Sequence, residues 1–159
     1  MNAIRNGNYD ALNESYETLS LGYPTLTATT IPIKSVLAAN QIGKDSIFKA
    51  LELLREGNKD NPNHGYGYMV TANVYDQLGA TDSFAYYTRK AISKQPNAPA
   101  HYALMSRLYV QENKLDSLTY YFNDISSRIK DYQVWKIYLG AMLDKTQNID
   151  SLKYIFQTW

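Results

Sequence analysis

The amino-acid sequence predicts an all-α fold made of repeated helix pairs. Similar residues recur at a spacing of 34, most clearly in the Asp-Ser pairs that begin at Asp82, Asp116 and Asp150. Pro62 and Pro96 keep the same spacing, and each is followed by asparagine. Between these landmarks, apolar residues follow the three- and four-residue spacing of amphipathic helices. A period of this length accommodates two short helices and their turns.

The first helix of one period is predicted between residues 67 and 78. Its Tyr68, Thr71, Ala72 and Tyr75 fall on one helical face. Gly79 follows, and glycine commonly ends a helix because it adopts the left-handed conformation without steric cost. We therefore expect the helix to stop there and the chain to reverse.

The second helix is predicted to start at Asp82, whose carboxylate suits an N-cap, and Asp116 and Asp150 are expected to cap in the same way. Its buried side is expected to contain Phe84, Tyr87, Ala91 and Ile92. Proline at position 96 cannot continue a helix, so the unit ends before it.

These features resemble the tetratricopeptide repeat. With proline placed at repeat position 32, the units are 31–64, 65–98, 99–132 and a shortened 133–159. Ala72, Tyr75, Gly79 and Ala91 then occupy positions 8, 11, 15 and 27 of the second unit. The resemblance implies a right-handed α-solenoid of antiparallel helix pairs. Phe84, in place of a small residue at position 20, predicts locally altered helix packing.

Residues 1–20 are predicted to form an N-terminal helix, the second half of a partial repeat. Residues 21–30, rich in Gly, Pro and Thr, are predicted to form a loop. Because the chain starts within a unit and ends within a predicted helix, we expect it to be a piece of a longer array.

Composition excludes several functional classes. The 159 residues contain no cysteine, and 16 Lys and Arg face 15 Asp and Glu, a net charge of +1. Disulfide scaffolds and cysteine chemistry are therefore excluded, and no basic excess indicates nucleic acid binding. No apolar run approaches the ~20 residues of a membrane-spanning helix.

No arrangement of residues predicts catalysis. His64 and His101 lie 37 residues apart, which fits no metal-ligand pattern, so we expect them to act in turns or as caps. We predict no enzymatic activity, no cofactor and no metal site. Tyr68, Tyr75, Tyr102 and Tyr109 are expected in the core.

Binding of a protein or peptide is the function that the repeat pattern favours. In tetratricopeptide repeats, positions 2, 5, 9, 12 and 13 of the first helices face a concave groove. The sequence lacks the lysine at position 5 that binds carboxylates in related chaperone-binding proteins. Amides and a flexible methionine instead indicate contacts to an extended peptide. The predicted groove residues are Tyr66, Met69, Asn73, Gln77, Ala103, Arg107 and Gln111.

A more specific resemblance rests on three segments, 23–34, 54–62 and 134–139. Their sequences are YPTLTATTIPIK, LREGNKDNP and VWKIYL, in the same order as in the C-terminal repeat region of Bacteroidetes-type O-antigen ligase or polymerase membrane proteins. This resemblance implies a non-catalytic bacterial scaffold, periplasmic or attached to the membrane through an upstream domain. Two alternatives stay open: an accessory domain that binds sugar directly, and a stand-alone repeat adaptor.

Overall fold

The computed structural model describes residues 14, 26–27, 29–42 and 46–146. Within these ranges the fold is all-α, with seven helices and no strand; Leu26 and Pro32 form an isolated bridge. Apart from residue 14, the predicted helix over 1–20 lies outside the described residues, as do most of the predicted loop over 21–30 and the Asp150 cap. The all-α prediction is confirmed.

The helices have nearly equal lengths and alternate with short turns, which gives the chain a repeat-like organisation. They are α1 (Ile33–Ile42), α2 (Ile47–Asp60), α3 (Gly65–Gln77), α4 (Thr81–Lys94), α5 (Pro99–Gln111), α6 (Leu115–Arg128) and α7 (Tyr132–Thr146). The chain divides into two compact units, of which the first ends at Lys94 and the second begins at Gln95.

The turn after α3 has the same geometry as the turn after α5. Gly79 has φ +69° and Asn113, one period later, has φ 56°. The amides that follow, Ala80 and Lys114, donate to the carbonyls of Tyr75 and Tyr109 at 2.9 and 2.8 Å. These bonds satisfy carbonyls that a helix end would otherwise leave unpaired. The predicted stop at Gly79 is confirmed.

The predicted caps at Asp82 and Asp116 are wrong. Phe84 donates its amide to the carbonyl of Ala80, and Leu118 donates to that of Lys114, so both helices begin earlier than expected. Asp82 and Asp116 therefore lie inside the first turn. There they favour the helix electrostatically, since that end of the helix dipole is positive.

The core of the first unit consists mainly of small and aliphatic side chains. Its central cluster contains Ala38, Ala50, Leu54, Val70 and Val74. Small side chains let helices approach closely, and this unit contains an extreme example. A Cβ added to Gly57 would lie only 2.5 Å from the Ser35 hydroxyl, so only glycine fits there without a shift.

The core of the second unit is aromatic. Phe122 of α6 stacks on Tyr138 of α7 with centroids 4.1 Å apart, and meets the Trp135 ring edge-on at 4.7 Å. Tyr102 of α5 stacks on Tyr121 at 5.4 Å. Such ring pairs stabilise the packing beyond the apolar area that they bury.

One polar contact recurs in both units. Lys94, at the end of α4, donates to the side-chain oxygen of Asn63 at 3.4 Å. Arg128, at the end of α6, donates to the equivalent Asn97 at 2.6 Å. In each case a cation at the end of a second helix bonds the asparagine 31 residues earlier, at the turn before the first helix.

Substitution of Gly79 tests the left-handed turn. We expect Gly79→Ala to lower the free energy of unfolding by about 1 kcal/mol, because a Cβ is disfavoured at positive φ. Gly140→Ala is the matched control. Gly140 lies within α7 with open space around its Cα, so alanine should stabilise by about 0.5–1 kcal/mol. Denaturant unfolding of both variants measures this, and equal effects would contradict the assigned turn.

Buried tyrosines make stability depend on alkaline pH. Burial raises the pKa of Tyr102, and burial followed by the neighbouring Tyr109 raises that of Tyr121 from 10.0 to about 12. The folded state disfavours the phenolate, so this stabilisation is complete below pH 10 and is lost as the pH rises towards 12.

We therefore expect the free energy of unfolding to decrease between pH 10 and 12, and to decrease less in the variant Tyr102→Phe/Tyr121→Phe. Tyr120→Phe is the control, since Tyr120 is 79% exposed. Denaturant titrations at several pH values measure both. An equally steep decrease in the double variant would show that other groups cause it.

Candidate functional site

The four predicted groove residues of the first unit lie on α3. Tyr66 and Met69 are half-buried and pack against the core cluster, as Ala39 and Ile42 of α1 also do. Asn73 is half-buried and Gln77 is exposed. Part of the apolar surface expected from Tyr66 and Met69 is therefore covered by packing within the unit. The amides of Asn73 and Gln77 lie towards the C-terminal end of the same helix.

In the second unit, predicted groove positions meet around a cavity of about 190 Å³ between α5 and α7. We call it the α5–α7 cavity. Ala103 and Arg107, both predicted, line it, whereas the third predicted residue of this helix, Gln111, does not. The complete lining is Ala103, Ser106, Arg107, Val110, Ile137, Ala141 and Asp144. Six of these seven residues occupy repeat positions 5, 9 and 12 of two successive first helices.

A second, larger cavity was not predicted from the sequence. It measures about 550 Å³ and lies in the first unit, with α2 and α4 at its sides and α3 between them. We call it the tyrosine cleft. Its lining is Leu51, Glu52, Leu54, Arg55, Asn58 and Lys59 of α2, Tyr68, Thr71 and Tyr75 of α3, and Tyr87 and Lys90 of α4.

Aromatic rings form one wall of the tyrosine cleft. Tyr75 and Tyr87 stack with centroids 5.4 Å apart and planes at 11°, and Tyr86 meets Tyr87 edge-on at 5.0 Å. Burial, followed by the neighbouring Tyr75, raises the pKa of Tyr87. The Tyr68 hydroxyl donates to the carbonyl of Pro62 at 3.3 Å, which fixes that ring in place.

Lys90 is held as a cation by this aromatic wall. Its ammonium lies 4.7 Å from the centre of the Tyr68 ring and 5.5 Å from that of Tyr86, and it donates to the Tyr86 hydroxyl at 3.4 Å. Burial alone would lower the pKa of Lys90, but the bond to Tyr86 and the nearby tyrosines offset this and raise it. Such a cation is stabilised by the negative ring faces.

The tyrosines divide between core and surface cavity. Tyr68 and Tyr102 are buried, as predicted, whereas Tyr75 and Tyr109 are half-buried. The sequence contained one signal for the cleft: Arg55 and Lys59 are four residues apart and therefore share a face of α2. That spacing alone does not reveal that Lys90, far away in sequence, lies at the same cavity.

The two histidines contribute to turns. His64 is the N-cap of α3, and its Nδ1 accepts the amide of Tyr66 at 3.2 Å, which confirms the predicted cap. Burial lowers the pKa of His64, so the neutral ring is favoured. The buried His101 has its Nδ1 2.9 Å from the carbonyl of Gln95, and the nitrogen must donate there because a carbonyl only accepts. Among the described residues, no group of acidic residues and histidines is arranged to hold a metal ion.

The chain matches no protein-family model and no curated protein. In the described ranges, none of the helices has the length and apolar character needed to cross a membrane.

Proposed function

We propose that this chain is a non-catalytic interaction module, a scaffold of the tetratricopeptide-repeat kind whose first helices bind a peptide segment of a partner protein. The α5–α7 cavity carries this proposal. It is lined by residues at the repeat positions that face the binding groove in that family, contributed by two first helices.

The chemistry of the cavity suits one apolar side chain of a partner. Ala103 and Ala141 leave space where larger residues would fill it, and Val110 and Ile137 provide an apolar lining. A cavity of about 150 Å³ lined by apolar groups holds a benzene molecule, so a site of this size accommodates a leucine or phenylalanine side chain.

Charged residues of opposite sign also line the cavity. Arg107 and Asp144 are both exposed, one on α5 and the other on α7. Opposite charges on the two sides of the cavity favour one orientation of a bound peptide. In that orientation its acidic groups lie near Arg107 and its basic groups near Asp144. Polar contacts at such exposed positions contribute more to specificity than to affinity.

A peptide selection tests this function. Random peptides displayed on phage are selected on the immobilised protein, and enriched peptides are measured by calorimetry. We expect enriched peptides to share an apolar anchor and to lose at least about tenfold in affinity with Ala141→Leu, because leucine occupies the space of the anchor. Lys136→Ala is the matched control, since Lys136 is exposed on the same helix and does not line the cavity.

Thermal unfolding of Ala141→Leu should resemble that of the parent chain, since Ala141 is only half-buried and borders open space. Peptides that bind the parent and Ala141→Leu equally would place the binding surface elsewhere. Failure to enrich any peptide would argue against peptide binding by this unit.

We further propose, on the resemblance of segments 23–34, 54–62 and 134–139, that the module serves as the soluble tail of a bacterial O-antigen ligase-like membrane protein. The native gene tests this directly. Several in-frame upstream segments of about 20 apolar residues would support a membrane-attached tail, and a stop codon just upstream would support a stand-alone adaptor.

A further inference from the structure

The tyrosine cleft carries an excess of positive charge. Three of its lining residues, Arg55, Lys59 and Lys90, are cations, and one, Glu52, is an anion. Within the part of the chain that the structure describes, neither Arg55 nor Lys59 forms an ion pair, and Lys90 bonds a neutral tyrosine. The chain as a whole has a net charge of only +1, so this concentration of cations is local.

Two of these cations are neighbours on the same helix. Arg55 and Lys59, at i and i+4 on α2, repel each other because like charges at this spacing are neighbours on the helix surface. Both side chains are exposed and belong to the same side of the cleft, while Lys90 belongs to the other. A ligand with carboxylates would relieve this repulsion and would contact cations on both sides.

The shape of the cleft suits a short extended segment. Across the described residues, α2 and α4 do not pack directly against each other, and both pack on α3, which leaves a channel between them. From Leu51 to Lys59 the lining follows α2 for about 12 Å. An extended peptide covers that distance with about four residues.

The aromatic wall favours a peptide over a sugar as the anionic ligand. Stacking with Tyr75 covers one face of the Tyr87 ring, and the Lys90 ammonium lies over the ring of Tyr68. A sugar ring would need such a flat aromatic face for stacking, whereas an aliphatic side chain packs against ring edges. Asn58 offers an amide that can bond a peptide group.

We propose that the tyrosine cleft binds a short acidic peptide segment of a partner protein, with carboxylates held by Arg55, Lys59 and Lys90 and an apolar side chain packed against the tyrosines. This site goes beyond the function proposed above, because it lies in the other unit and uses α2 and α4. On α3, Tyr68 and Tyr75 face roughly opposite to Tyr66 and Asn73, at about 100° per residue.

The test uses two capped hexapeptides, Glu-Leu-Glu-Glu-Leu-Glu and its neutral analogue Gln-Leu-Gln-Gln-Leu-Gln. Binding to the full chain is followed by NMR, with the amide shifts around the cleft as the readout. We expect the acidic peptide to bind, to shift the amides of residues 55, 59 and 90, and to weaken as salt is added. In Arg55→Gln/Lys59→Gln its Kd should rise at least about tenfold, because two charge-assisted contacts are lost.

Lys49→Gln/Lys136→Gln is the matched control, since it removes the same charge from exposed positions outside the cleft. The Kd of the acidic peptide for this control should stay within about twofold of the parent value. Salt screens most of the attraction from charges more than a Debye length, about 10 Å, from the peptide, so only a small effect should remain. Thermal unfolding of both double variants confirms that they fold.

Three results would overturn the proposal: equal binding of the neutral peptide, an equal loss in both double variants, or shifts that map outside the cleft. An acidic oligosaccharide such as oligogalacturonate serves as a further probe. If it binds in the cleft and the acidic peptide does not, the ligand is an acidic sugar and the proposed peptide ligand is wrong. Ala141→Leu should leave this binding unchanged, which separates the outcome from that of the first proposal.

Discussion

In two of the helix pairs, a residue in the left-handed conformation reverses the chain between the first and the second helix. The placement of the second helix depends on that residue. Gly79 and Asn113 reverse the chain within three residues, so α4 returns against α3 and α6 against α5. The reversal buries one face of each first helix. It also determines which tyrosines of α3 point towards α4, and thus where the aromatic wall of the cleft forms.

Equivalent tyrosines stack differently in the two units, and one neighbouring position carries opposite charge in the two. In the second unit Tyr121 stacks on Tyr102, but its counterpart Tyr87 stacks on Tyr75 instead of Tyr68. Lys90 lies over the Tyr68 ring, whereas one period later the residue is Asp124, whose negative charge is disfavoured over a ring face. The position of a lysine ammonium over the ring of Tyr68 is therefore particular to the first unit.

The sequence was sufficient for what depends on local patterns and insufficient for what depends on side chains brought together by packing. The 34-residue period and the glycine after α3 predicted the helix pairs and the turn at Gly79. The caps at Asp82 and Asp116 were missed because backbone carbonyls at Ala80 and Lys114 start those helices. The tyrosine cleft was missed because only the packing of α2 and α4 on α3 brings Arg55 and Lys90 to the same cavity.

Helix α3 has three groups of side chains with different surroundings, and each group lies on its own part of the helix surface. Val70 and Val74 pack in the core, Tyr68 and Tyr75 line the cleft, and Asn73 faces away from the cleft. Two ligands that used the two outer faces would not compete sterically. Coupling between them would have to pass through the stability of α3 itself, since a ligand influences another only through states that it binds differently.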